Sequence, residues 1–230
     1  MTTGDKKRDS GTLPEFDMRV PSFKLPAGLC FGPFPVTESQ VFHVSPCALS
    51  FALVNLRPLL AGHSLVCPIR RVPRLSQLNR EETTDLFLTV KQVSAMLERV
   101  YKADALNVAV QDGTAAGQSV NHVHVHIIPR RSRDVANGDE VYEWMDSKQG
   151  NVGRAWEEYY AMQKQRQMRE NAGQREIEGG PDADAKRTNR SEDEMRKEAE
   201  WLRWEMERQN DLDQRLCAGH RFADGSGEIP

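Results

Sequence analysis

The 230-residue sequence predicts an α+β fold: an antiparallel sheet of about five strands, one long helix and a second helix docked near the C-terminus. Three observations carry that prediction. Short apolar runs, continuous or alternating at period two, follow one another closely between residues 41 and 128. A single long stretch among them changes to a helical period. Past residue 130 the composition turns polar and acidic.

Each element follows from its residues. Residues 1–27 form a polar lead-in punctuated by Pro and Gly, expected to be disordered, and the folded domain spans 28–133. Val41–Val44, Leu49–Leu56 and His63–Ile69 read as strands, and their short connections favour hairpins over crossovers. Asn79 is a good helix N-cap, with Glu81 and Glu82 at the positive end. Leu86, Val90, Val93, Met96, Leu97 and Val100 then make one apolar stripe, and the helix should stop near Lys102–Ala103. Two more strands are expected, Ala105–Gln111 and His122–Ile128, the second ended by Pro129, which lacks a ladder donor.

Residues 134–190 read as a mobile polar loop or linker, with a charged helix over Trp156–Met168 at most. Ser191 and Glu194 form an S-x-x-E capping box for a helix to about Gln209, with Met195, Ala199, Leu202 and Met206 as a narrow docking stripe. Residues 210–230 are expected to be a disordered tail.

Composition narrows the function classes. Hydrophobic residues make up 38% and mean hydropathy is -0.65, so part of the chain is expected to be solvated. The net charge of -3 divides unevenly: twelve Lys/Arg against seven Asp/Glu over 21–133, then fifteen against twenty-three over 134–230. A mildly basic domain suits an anionic ligand. Cys30, Cys47, Cys67 and Cys217 show no paired spacing, which reads as free thiols in a reducing compartment. With no apolar leader or spanning segment, the expectation is a cytoplasmic protein, with the nucleus as a second location, that engages neither membrane nor nucleic acid.

The most informative residues are His122, His124 and His126 in N-H-V-H-V-H-I-I-P. On a strand they project to one face while Val123, Val125 and Ile127 enter the core. One reading is a polar face without function. Another is a metal site, but His122 and His126 would lie about 13 Å apart along a strand, too far to share one ion at bonds of about 2 Å. Two of them with a third ligand from elsewhere would remain possible. The third reading is catalytic: a neutral imidazole with one nitrogen fixed can attack phosphorus, and its neighbour can donate to the oxygens. Gly117–Val120, just ahead, supplies backbone amides, an amide side chain and a hydroxyl for phosphate.

The ladder, together with S-F-A-L-V-N-L-R-P, A-G-H-S-L-V-C-P and V-Q-D-G-T-A-A-G-Q-S-V-N, resembles the histidine-triad (HIT) superfamily, in particular its fragile-histidine-triad branch, the bis(5'-adenosyl)-triphosphatases. The resemblance covers roughly residues 28–145 and 190–207. It implies a HIT-like fold, hydrolysis of a dinucleoside polyphosphate through an adenylyl-histidine intermediate, and a homodimer joined through its sheets. His124 would be the nucleophile and His126 the contact to phosphates and leaving group, with His122 and His63 orienting them. Gln111, Gly117, Gln118, Ser119 and Val120 would surround phosphate or ribose oxygens, and Asn55 the ribose. Phe34 stands where some relatives have a histidine, and suits either adenine stacking or the core. Tyr142 matches a tyrosine of the family's mobile loop that is phosphorylated in animal members. No tightly bound cofactor is implied; Mg2+ or Mn2+ would accompany the substrate. Nucleoside phosphoramidate or adenylyl-sulfate hydrolysis, or signalling through the substrate complex, are the alternatives. His43 and His220 match no site of the family.

Overall fold

A computed structural model describes residues 24–132, 134–135, 140–147, 150–171 and 189–220. Ahead of the main sheet, β1 (Cys30–Phe31) and β2 (Phe34–Pro35) pair as a small antiparallel ribbon. The sequence reading placed no strand there, because two-residue strands display no period. β3 (Val41–Val44), β4 (Ser50–Val54), β5 (Ser64–Pro68), β6 (Ala105–Val110) and β7 (Val125–Arg130) then form one antiparallel sheet in the order β3-β4-β5-β7-β6. The hairpins β3–β4 and β4–β5 follow from their short connections.

Helix α1 (Arg80–Tyr101) separates β5 from β6 and lies across β4, β5 and β7. Its start is the expected cap: Asn79 Oδ1 accepts from Glu82 N at 2.8 Å, and Glu82 Oε2 accepts from Asn79 N at 3.0 Å. Its end is Lys102, in the left-handed conformation at φ 51°. Leu86, Val93, Met96 and Leu97 of the stripe are fully buried.

Three expectations are corrected. The ladder strand starts at Val125 rather than His122 and runs through Pro129 to Arg130. Pro129 is tolerated because Arg130 O, not Pro129, faces β6, accepting from Asp104 N, while β5 has already ended where Pro129 points. The second correction concerns 134–190. Helices α2 (Glu140–Asp146) and α3 (Val152–Asn171) occupy its first half, and they are packed. Val141 and Met145 close over Ile128 and Leu59, and Val152, Ala155 and Trp156 join the main core. The N-A-G-Q-R-E-I-E-G-G-P-D-A-D-A stretch and its neighbours, 172–188, lie outside the described residues. Third, helix α4 (Glu192–His220) opens at the predicted Ser191–Glu194 box but runs past Gln209 into the stretch expected to be a disordered tail. It lies along β3, where Arg203 Nη2 donates to Val41 O and Glu38 O. Among the described residues no helix is long and apolar enough to cross a membrane.

Candidate active site

The sheet register brings four histidines into one row. Leu65 of β5 is opposite His126 of β7, and His63 lies two residues before Leu65, hence on the same face. His63 Nε2 meets His126 Nδ1 at 2.9 Å. Asn55 sits alongside; its backbone N donates to His63 O and its amide lies over the His63 ring. The rings of His124 and His126 pack edge to face at 5.0 Å. Val123, Val125 and Ile127 go to the core as predicted, although only His126 of the three lies within the regular strand.

Backbone partners set the tautomers of His63, His122 and His124, and His63 in turn sets that of His126. Leu59 N–H donates to His63 Nδ1, so the His63 proton is on Nε2 and is given to His126 Nδ1. That leaves His126 with its proton on Nε2. Gly32 N–H donates to His122 Nδ1, and His122 Nε2–H donates to Pro68 O at 2.9 Å. His124 Nδ1–H donates to His122 O at 2.8 Å, so His124 Nε2 carries a lone pair. Among the described residues, His124 Nε2 and His126 Nε2 are buried without a hydrogen-bond partner: one acceptor and one donor, side by side.

The electrostatics keep the row neutral. Burial lowers His122 to about 4 and His63 to about 3, and lowers His124 and His126 as well. Gly32 is needed for this arrangement. It lies at φ +57°, and a Cβ there would come within 2.4 Å of Val120 Cγ1. Sequence reasoning did not single it out, nor Phe31, whose ring meets His124 edge-on at 5.3 Å.

The loop before the ladder is a 3-10 turn (Thr114–Ala116) closed by Gly117 at φ +85°. Gln111 is buried, and its amide lies against Gly117. Gln118 is committed to the loop itself: its Oε1 accepts from Gly113 N and its Nε2 donates to Pro73 O. Val120 is core, and its carbonyl accepts from His122 N. Ser119 Oγ accepts from Gly153 N at 3.0 Å. A cleft of about 800 Å³ lies between this loop and the first turn of α3, lined by Gly117, Gln118, Ser119, Asn151 and Arg154, with no histidine in its wall. Phe34 is packed rather than open, stacked on Trp156 at 5.8 Å and on Tyr160 at 5.6 Å. Tyr142 is half exposed on α2 and its hydroxyl accepts from Asn107 at 2.9 Å. His43 is buried on β3, far along the sheet order from the row, and burial lowers it to about 4. Among the described residues no three His, Cys, Asp or Glu side chains converge to hold a metal ion. Both nitrogens of His122 and of His63 are already engaged.

The chain is similar in sequence to known proteins. Residues 36–133 match the HIT domain. The asymmetrical bis(5'-nucleosyl)-tetraphosphatase of Schizosaccharomyces pombe is 42% identical over 179 residues, covering 78% of this chain and 94% of that protein. The bis(5'-adenosyl)-triphosphatase of Dictyostelium discoideum is 47% identical over 118 residues, or 51% of this chain and 78% of that protein. The bifunctional bis(5'-adenosyl)-triphosphatase/adenylylsulfatase of Arabidopsis thaliana is 49% identical over 119 residues; the chain covers 65% of its length. Similarity of this degree over most of a relative's length means that the chain belongs to the histidine-triad (HIT) family, alongside its dinucleoside polyphosphate hydrolases.

Proposed function

We propose that the protein hydrolyses dinucleoside polyphosphates, diadenosine triphosphate first among them, by passing an adenylyl group through His124. The observation that carries this is the free lone pair on His124 Nε2, fixed by its Nδ1–H bond to His122 O and set beside the Nε2–H of His126. His124 Nε2 attacks the α-phosphorus; the N–P bond forms as the bond from phosphorus to the bridging oxygen breaks, and ADP leaves. His126 Nε2–H donates to the phosphate oxygens as charge builds on them. Water then attacks the same phosphorus, the N–P bond breaks, and AMP departs with His124 restored. His63 and His122 act through the ring orientations they fix. Gly117–Val120 offers backbone amides to the phosphates, and a divalent cation, Mg2+ or Mn2+, travels with them.

The Schizosaccharomyces pombe and Arabidopsis relatives are named for tetraphosphate and adenylyl-sulfate substrates respectively, and both chemistries place the same adenylyl group on His124. The homodimer belongs to this reading. α4 lies along β3 at one edge of the sheet, whereas β6 is the other edge, with Val108 about half exposed on it. Light scattering of the purified protein tests it. A site in the cytoplasm, and in the nucleus, is the corresponding cellular expectation.

The decisive experiment is His124→Asn, which keeps polar volume and removes the nucleophile. Turnover of diadenosine triphosphate should fall on the order of 10³-fold or more, with analogue binding retained. More than a tenth of the wild-type kcat would remove His124 from the mechanism. Parallel rates on diadenosine tetraphosphate, adenylyl sulfate and adenosine phosphoramidate rank the substrates. Chelation followed by addition of Mg2+ or Mn2+ tests the cation.

A further inference from the structure

The row has its reactive atoms in place yet closed off. His124 and His126 are each 1% exposed, so no phosphorus reaches His124 Nε2 in this conformation. An aromatic stack lies against the His124 ring. Phe31 meets the His124 ring, and Trp156 of α3, fully buried, meets Phe31 at 5.7 Å. Trp156 also stacks on Phe34 and on Tyr160. The first turn of the same helix sits on the loop offered above to phosphate: Gly153 N–H donates to Ser119 Oγ, and a Cβ on Gly153 would stand 2.5 Å from Ser119 O.

Two features mark this as a contact made to be replaced. Trp156 Nε1–H is buried with no partner among the described residues, an unusual state for an indole in permanent core. And the outer side of α3 is tied down by side chains. Arg57 bonds Glu158 at 2.7 Å and Asn189 at 2.9 Å, and Asn189 Nδ2 donates to Ala155 O. An indole is a flat fused bicycle with one N–H edge, close in shape to a purine.

We propose that α3 is a displaceable pseudosubstrate: Trp156 occupies the place of a nucleotide's base beside Phe31, and Gly153 N–H holds Ser119 Oγ until a phosphate takes it. The inference rests on His124 being the site of adenylyl transfer. Bound substrate and docked α3 exclude one another, so apparent affinity is the intrinsic affinity reduced by the fraction of protein in the open state. A second ordered binding element is not required; the device sets KM rather than the chemical step.

Two variants loosen the helix from its own side, leaving every residue of the row and of the phosphate loop unsubstituted. Gly153→Ala places a methyl group where only backbone contact fits, and Glu158→Gln removes the ion pair to Arg57. Gly153→Ala should lower KM for diadenosine triphosphate roughly fivefold and Glu158→Gln roughly twofold, with kcat within about twofold of wild type. Hydrogen exchange on the full-length wild-type protein supplies a readout that needs no variant. Saturation with a methylene-bridged diadenosine triphosphate analogue should strip protection from amides 153–160 while protecting β7. A rise in KM in both variants, or unchanged or greater protection of α3 in the bound protein, overturns the proposal, since α3 would then belong to the bound state. The two ideas fail separately. Turnover surviving in His124→Asn removes the nucleophile, whereas α3 protected by the analogue in an enzyme that still depends on His124 overturns the displacement alone.

Discussion

The histidine row and the inner face of helix α3 are both buried and meet through Phe31, yet they are held by different means. Ring nitrogens in the row bond to backbone at Gly32, Leu59, Pro68 and His122, and the strand beneath is paired on both sides. Such partners cannot rotate away without moving the main chain that carries them. Helix α3 docks through aromatic rings and through side chains, among them Arg57, Glu158 and Asn189. Its one backbone donor to the site, Gly153 N, ends on a serine hydroxyl that can turn elsewhere. Burial alone does not tell a fixed element from a removable one; the kind of partner does. Chemistry is placed on the first kind, and access to it is controlled by the second.

The largest effects should separate the two regions by stability. Leu65, fully buried opposite His126, cannot be truncated without leaving a cavity in the sheet, and Leu65→Ala should cost about 2–5 kcal/mol in denaturant unfolding. Trp156 is larger and equally buried. If α3 leaves the domain on its own, however, Trp156→Ala can cost no more than the docking free energy of that helix, about 2 kcal/mol or less. A greater loss for Trp156→Ala than for Leu65→Ala would make α3 an inseparable part of the core.

A smaller effect probes the row from its backbone side. Gly32→Ala meets both the positive φ and Val120 Cγ1, and withdraws the N–H that fixes His122. Stability should drop by about 1–2 kcal/mol. Turnover should fall roughly tenfold as the rings lose their set orientation. Steady-state kinetics on the folded variant would check this; full kcat with only a stability loss would leave His122 a purely structural residue.

How far each region could be read beforehand follows from the same contrast. The alternation His122, His124, His126 is a period-2 signal, and Asn79 with Glu82 is a cap with its own chemistry, so sheet, helix and row were all legible. Nothing in sequence spacing placed His63 against His126, because that contact comes from strand register; there the family resemblance supplied what the local pattern lacked. The ribbon Cys30–Phe31/Phe34–Pro35 is too short to have a period. Helix α3 did carry a signal. Val152, Ala155, Trp156, Tyr159 and Tyr160 fall at i, i+3, i+4, i+7 and i+8, a regular inward face whose last two members are partly buried. Composition averaged over 134–190 hid it, since Glu157 and Glu158 lie between its members and the flanks are strongly polar. Phe34 was undecidable for that reason: its stacking partners are residues of the same unread face.

The finest distinction between the regions is their response to acid and to salt. The row holds four histidines whose values burial depresses, to about 3 for His63 and about 4 for His122. In the unfolded chain these groups bind protons near pH 6.5. Between that value and the folded ones the unfolded state therefore holds more protons, and stability must rise with pH across the interval. It is complete above about pH 6.5 and is lost as the pH falls toward 4. Because the cause is desolvation rather than a charge pair, added salt should not restore it. The tie on α3 behaves otherwise. Hydrogen bonds from Arg154 and Arg57 lower the Glu158 carboxyl, so its contribution is present above the ordinary value of 4.5 and lost only below it. It is partly exposed and hence screened by salt. Unfolding followed from pH 7 to 5 should thus show a falling midpoint at any ionic strength. At pH 7, raising salt to about 1 M should lower exchange protection of amides 153–160 a few-fold and leave β7 unchanged. Glu158→Gln should abolish most of that salt response. Salt that weakens β7 and α3 together would join the two regions into one cooperative unit, and a midpoint constant down to pH 5 would mean the histidines are not buried in the neutral state that the mechanism requires.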